Sequence, residues 1–195
     1  MLFILYLGQA CPCASKPKIT FLLAEKEYQT SITLPYFAKS YLSNDFQVAY
    51  CKAEMEGENR HILKETHEIR DADLLFVSVR RRAFSKTVMK LIRDHVKKGK
   101  SVLGIRTTSH AFQLRKEKLM DGHQEWSEWD REVIGGNYNG HYGKGLLCNI
   151  KNISPSLMHP ILQNVTLPFT TPATLYQNSP LPEKSKPLLV GSVEG

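Results

Sequence analysis

Four short runs rich in β-forming residues, KITFLLA (18–24), FQVAYC (46–51), LLFVSV (74–79) and SVLGI (101–105), recur at short, regular spacing with polar and helical segments between them. KITFLLA and LLFVSV are apolar at nearly every position, so neither face of such a strand can meet water. That is the pattern of parallel strands covered on both sides by helices. Leu34, Phe37, Ala38, Tyr41 and Leu42 repeat at helical spacing, with Thr33 before Pro35 as a start and Ser43-Asn44-Asp45 as a stop. Ile62, Leu63, Thr66 and Ile69 predict a second helix over 59–70. Ser85 caps a third, in which Val88, Leu91, Ile92 and Val96 face the core and which Gly99 terminates. The alternation predicts right-handed βαβ units and a doubly wound parallel sheet, an α/β fold.

A chain of 195 residues suits one such domain, over 18–195. The opening MLFILYLGQACPCAS has an apolar run followed by small residues and the polar SKPK, so residues 1–17 read as an export leader that lacks a positive start. A periplasmic or secreted location follows from that reading, and a cytoplasmic one if the segment is not a leader. No other apolar run approaches the roughly 20 residues of a membrane span. The net charge of +7 is scattered, without a basic run or an aromatic-interleaved stripe, and gives no nucleic-acid surface. Beyond the leader, Cys51 and Cys148 stand far apart, outside any CxxC arrangement, and read as small buried apolar residues.

Past Ala111 the periodicity loosens. WDREVIGGNYNGHYGKG reads as an ordered functional loop, LLCNIKNI as a strand, and short strands are expected at 174–176 and 188–193 among prolines 155, 160, 168, 172, 180, 182 and 187.

In open α/β sheets, ligands bind beyond the carboxyl ends of the strands. Three strand ends are expected to converge there: Glu25, Glu27 and Tyr28 after the first, Ser78 and Arg80 to Arg82 after the third, and Arg106, Thr107, Ser109 and His110 after the fourth. His110 and His141 are the candidates for proton transfer, because imidazole titrates nearest neutral pH. His141 sits in GGNYNGHYG, whose glycines allow the loop, with Asn137 and Tyr138, to fold over the rim. An arginine directly after a buried strand needs its charge answered by a carboxylate or a ligand, which singles out Arg106. Arg80, Arg81 and Arg82 could bind a phosphate or carboxylate bidentately, or one could pair with Glu25 or Glu27 while the others face water, and a mixture of the two is expected. No cofactor is expected. Glu25 and Glu27 at the start of the first loop repel a flavin phosphate, and neither GxGxxG nor a P-loop is present. His110, His141 and a glutamate have donor types that suit zinc, but no HExxH pair accompanies them.

KITFLLAEKEY, DADLLFVSVRRR, GKSVLGIRTTSHAF, WDREVIGGNYNGHYGKG and HPIL, in this order, resemble the trehalose-utilisation (ThuA-like) family of the glutamine amidotransferase-like superfamily, a family of bacterial, often exported, proteins. The resemblance implies a flavodoxin-like doubly wound sheet and a role in the use of trehalose and other disaccharides, with isomerase or lyase-like action on keto-sugars. Glutamine amidotransferases carry a nucleophilic cysteine directly after the pair that Gly104 and Ile105 match; Arg106 stands there instead, which excludes glutaminase chemistry. Ser109, three positions on, is expected to cap a helix. The resemblance implies a further strand with an LGH-type motif that contributes a histidine, so either the chain is C-terminally truncated or that strand is absent.

The expected function is proton transfer on a small carbohydrate ligand. His110 or His141 would act as base and Arg106 as electrostatic stabiliser, with Glu25 also catalytic. Glu27, Tyr28, Arg80, Arg81, Thr107, Ser109, Asn137 and Tyr138 are the expected binding residues. Trp126 and Trp129 are either sugar-stacking surfaces or core. Alternatives are a non-catalytic sugar-binding or interaction module and a metal-dependent hydrolase; a homo-oligomer is also possible.

Overall fold

The computed structural model describes residues 15–143, 145–153 and 159–193. Most of the expected leader, residues 1–14, lies outside them. Strands β1 (Lys18–Ala24), β2 (Gln47–Lys52), β3 (Leu74–Val79) and β4 (Ser101–Gly104) form a parallel sheet in the order β2-β1-β3-β4. β1 pairs with β2 from Lys18 against Gln47 and with β3 from Ile19 against Leu74. Helices α1 (Thr30–Tyr41) and α2 (Lys86–Lys97) provide the β1–β2 and β3–β4 crossovers.

The unbroken apolar run of β1 serves two cores. Ile19, Phe21 and Leu23 pack with Leu34 and Ala38 of α1 and with Phe76. Leu22 and Ala24 point the other way, into a larger cluster with Leu75, Val77, Val88, Met89 and Ile92. That cluster also holds Ala111, Phe112, Trp126 and Trp129, so both tryptophans belong to the core. The Trp129 ring meets Phe112 and Trp126 edge-on, at centroid distances of 4.8 and 5.2 Å, and its indole N–H donates to the Thr108 carbonyl at 2.9 Å.

Two sequence expectations change. α1 begins at Thr30, before the expected Thr33, because the buried Glu25 carboxylate accepts from the Thr30 N–H at 3.1 Å and its hydroxyl at 2.5 Å, supplying the cap. Residues 59–70 form two single 3-10 turns, Glu58–His61 and Thr66–Ile69, in place of one helix. Glu65, at φ 55°, breaks any continuous helix between them. The Ser85 cap is as expected, with its hydroxyl accepting from Val88 N–H at 3.3 Å.

The second half is antiparallel: β5 (Cys148–Asn152) lies between β6 (Phe169–Thr171) and β7 (Leu189–Val193). A two-residue ladder joins Gly140–His141 to Tyr176–Gln177, with His141 opposite Tyr176. Both remaining cysteines are buried. Cys51 donates to the Glu65 carbonyl, and burial pushes its thiol up to about 12, so it stays protonated and unreactive. No helix among the described residues is long and apolar enough to cross a membrane.

Because Trp129 fills the second core and holds the turn after β4, Trp129→Ala is expected to cost about 3–5 kcal/mol. Trp129→Phe, which keeps much of the ring burial and loses only the indole N–H, is expected to cost less. Urea unfolding of the two variants measures both.

Candidate functional site

The β4 strand ends at Gly104, where a Cβ would lie 2.7 Å from the Thr108 side chain, so the turn closes only on glycine. Arg106 then adopts φ 49°, a strained backbone for a residue with a side chain, and opens a 3-10 turn to His110. That turn is tied to β3. Thr108 Oγ1 donates to the Val77 carbonyl at 2.6 Å, Thr107 Oγ1 to that of Val79 at 3.3 Å, and the Arg81 and Arg82 N–H groups donate to the carbonyls of His110 and Ala111. Thr107 is therefore a buried tie and not a cavity-lining group. Ser109 does not cap a helix; its hydroxyl lies 3.0 Å from His110 Nδ1, and the cap on Ile105 N–H comes from Thr108.

At the carboxyl ends of β1, β3 and β4 lies a cavity of about 790 Å³. Glu27 and Tyr28 reach it from the first loop, Arg80 from the third strand end, and Arg106 and His110 from the fourth. Tyr138 and His141 come from the glycine-rich loop, and Pro172, Ala173, Thr174 and Tyr176 complete the wall. The expected convergence is thus seen for Arg106, His110 and His141. Glu25 sits apart. It is buried, accepts from the Tyr28 and Thr30 N–H groups, and faces a neighbouring hollow. These bonds make it a holder of the first loop, in place of the catalytic carboxylate expected.

Arg106 has no carboxylate partner among the described residues. Its guanidinium donates to Tyr28 Oη at 2.9 Å and to the Thr174 carbonyl at 3.2 Å. It stands 4.8 Å from the Tyr28 ring centroid and 5.0 Å from that of Tyr176. Two aromatic faces and two acceptors thus answer the charge where a carboxylate or a ligand was expected. Arg80 is the arginine that pairs with a loop carboxylate, at 2.9 Å from Glu27. Arg82, expected in water, is buried and donates to the Arg80 and Met55 carbonyls. Arg81, at φ 52°, reaches Gln113 and lines the neighbouring hollow.

Burial pushes the His110 imidazole down to about 3, and the charges of Arg81, Arg80, His141 and Arg115 act in the same direction. His110 is therefore neutral at physiological pH, with its ring 4.8 Å from that of Tyr138. Such an imidazole is a poor proton acceptor but a competent hydrogen-bond donor to a developing oxyanion. His141 is exposed, with Nδ1 3.3 Å from the Tyr138 hydroxyl. Asn137 points elsewhere, donating to the Pro180 carbonyl at 2.9 Å.

Two participants were not visible in the sequence. Tyr176 comes from the proline-rich segment and reaches the cavity only through its pairing with His141. Asp130 is buried and anchors the glycine-rich loop by accepting from Tyr138 N–H at 2.7 Å, and burial raises its carboxyl pKa. A Cβ at Gly136 would lie 2.5 Å from Asp130 Oδ1, so the second glycine of the loop makes room for this anchor. Only the WD pair ahead of the glycines hinted at it. Among the described residues there is no group of three or more histidine, cysteine or acidic side chains placed to hold a metal. No protein-family model, curated protein or solved structure matches the chain.

A histidine held below its ordinary value takes up its proton first in the unfolded chain, so stability falls as pH drops below about 6.5. For His110 this loss continues down to about 3. His110→Gln is expected to flatten the acid limb of a stability–pH curve by up to about 1.4 kcal/mol per pH unit. The His110 ring resonances should stay constant from about pH 5 to 8, and titration near 6.5 would contradict the assignment.

Proposed function

We propose that the protein is a ThuA-like member of the glutamine amidotransferase-like superfamily that binds an oxidised disaccharide and moves a proton beside its carbonyl group. The strand order β2-β1-β3-β4 supports a flavodoxin-like sheet, since it reproduces the first four positions of the 2-1-3-4-5 arrangement. The observation that carries the reading is the cavity itself: Arg106 held between two tyrosine rings, with neutral His110 and exposed His141 on the same wall. Its volume of about 790 Å³ lies within the range of small-ligand sites. Tyrosine faces suit the C–H faces of a sugar ring, and the polar groups around them suit its hydroxyls.

In this reading the ketone oxygen lies between the Arg106 guanidinium and His110. His141 removes the proton from the neighbouring carbon, and the electron pair moves onto the carbonyl oxygen to give an enediolate. Arg106 and His110 stabilise that charge, His110 as a neutral donor. Return of the proton to the former carbonyl carbon, with the hydroxyl proton of the neighbouring carbon passing to the former carbonyl oxygen, gives the isomerised sugar, so atoms and charge balance without a cofactor. The base is assigned to His141 because a proton on His110 is strongly disfavoured. The opening apolar segment supports an exported protein, on sequence grounds alone.

Incubation with a 3-keto-disaccharide in deuterated water should label the carbon beside the ketone, as read by NMR. His141→Gln should slow that exchange about 10²-fold or more while retaining binding. Arg106→Lys, which keeps the charge but loses the planar fork, should also slow it. Binding without any exchange would replace the enzyme with a sugar-binding module, and absence of binding would end the carbohydrate reading.

A further inference from the structure

Beside the cavity is a second hollow of about 300 Å³ that the proton-transfer scheme does not use. Five cationic side chains, Lys26, Arg60, Arg80, Arg81 and Arg82, face it with three carboxylates, Glu25, Glu56 and Glu117. Most of these charges are already answered. Arg60 and His61 hold Glu117, Lys26 is 2.5 Å from Glu56, Arg80 meets Glu27, and Glu25 accepts from the first loop and from Thr30. Arg81 and Arg82 are left without a carboxylate at ion-pair distance among the described residues, and only Glu117 and Glu25, farther off, act favourably on the Arg82 charge. Arg82 is only 6% exposed, and its terminal nitrogens donate to the Arg80 and Met55 carbonyls, which do not neutralise its charge. The Nε atoms of Arg80 and Arg82 are buried without any hydrogen-bond partner. A buried guanidinium with an idle donor and no close ion pair is costly unless an anion joins it.

We propose that this hollow, walled by Lys26 and by Arg80 to Arg82, receives a phosphoryl group, and that the carbohydrate in the cavity carries it as an ester. Two guanidiniums without a close ion pair offer more N–H donors than one carboxylate can take up. A phosphoryl group also offers several acceptor oxygens to donors arriving from different strand ends. The hollow and the cavity share Arg80, and the Arg81 and Arg82 N–H groups bond to the carbonyls of His110 and Ala111, so their walls are fixed to one another. Lys26 faces the hollow while the next two residues, Glu27 and Tyr28, face the cavity. The depression of Arg82 to about 10, by burial and then by Arg60, agrees with a positive charge in want of a partner. The ester half of the proposal rests on the carbohydrate reading of the cavity; the phosphoryl half stands without it.

Calorimetric titration of the intact chain with inorganic phosphate, trehalose and trehalose 6-phosphate separates the two. Saturable binding of inorganic phosphate is expected, and trehalose 6-phosphate should bind about tenfold or more tighter than either phosphate or trehalose alone. Arg81→Gln, and independently the more exposed Lys26→Gln, should each weaken phosphate binding by about tenfold or less for the lysine, and leave trehalose binding unchanged. Tyr176→Ala should do the reverse. Absence of saturable phosphate binding, or a phosphate affinity unmoved in both charge variants, would overturn the phosphoryl site. An ester no tighter than inorganic phosphate would overturn the link between hollow and cavity. Phosphate binding retained with no response to trehalose would count against the carbohydrate reading and leave the hollow standing.

Discussion

The hydrogen bonds that fasten the turn after β4 to the end of β3 determine where Arg80, Arg81, Arg82, Arg106 and His110 lie. Thr108 and Thr107 place their hydroxyls on the Val77 and Val79 carbonyls, and the backbone of Arg81 and Arg82 returns to His110 and Ala111. Individually such bonds contribute about 0.5–1.5 kcal/mol. Together they hold Arg106 in a left-handed conformation that an isolated chain would leave, and they set Arg80 and His110 on one wall. Trp129 closes the arrangement from below by donating to the carbonyl of Thr108, so the second core and the site share one support.

Electrostatics then follows from geometry. Several guanidiniums are brought to one rim with few carboxylates between them, and each imidazole or arginine there must reach its own settlement. Arg106 settles between two phenol rings, an arrangement that leaves its remaining N–H donors uncommitted to a permanent anion. His110 settles by losing its proton. Under the proposed function, a carboxylate ion-paired to Arg106 would neutralise the group that the substrate oxyanion would need. The aromatic sandwich holds the charge in place without cancelling it.

The four parallel strands were legible because a strand buried on both faces has no room for polar alternation, and KITFLLA and LLFVSV show none. The two crossover helices were legible from their spacing, although the true start of α1 depends on Glu25, a carboxylate outside the helix. The segment 59–70 misled because apolar residues at helical spacing also suit two tight turns broken at Glu65. At the site, strand-end logic placed Arg106 and His110 together, since the ends of adjacent parallel strands must meet, and the glycine-rich loop pointed to His141. It failed for Glu25, Thr107 and Asn137, whose polar atoms are committed to local bonds that sequence spacing does not reveal. Tyr176 and Asp130 were out of reach for a further reason: each acts through a partner set by tertiary folding, His141 in one case and the Tyr138 N–H in the other.

The division of labour between the two histidines illustrates how much a few ångströms of burial decide. Both were equal candidates by chemistry, but His110 is enclosed beside Arg80, Arg81 and Arg115 while His141 stands on an exposed two-residue ladder. Catalysis of enolisation needs unlike groups: one that accepts a proton and one that donates a hydrogen bond without becoming charged. Two identical imidazoles supply both once the fold places one inside the field of the arginines and the other at the edge of it. The same field makes His110 unsuited to the base role, so under the proposed function the arginines that would recognise an anion also fix which histidine would move the proton.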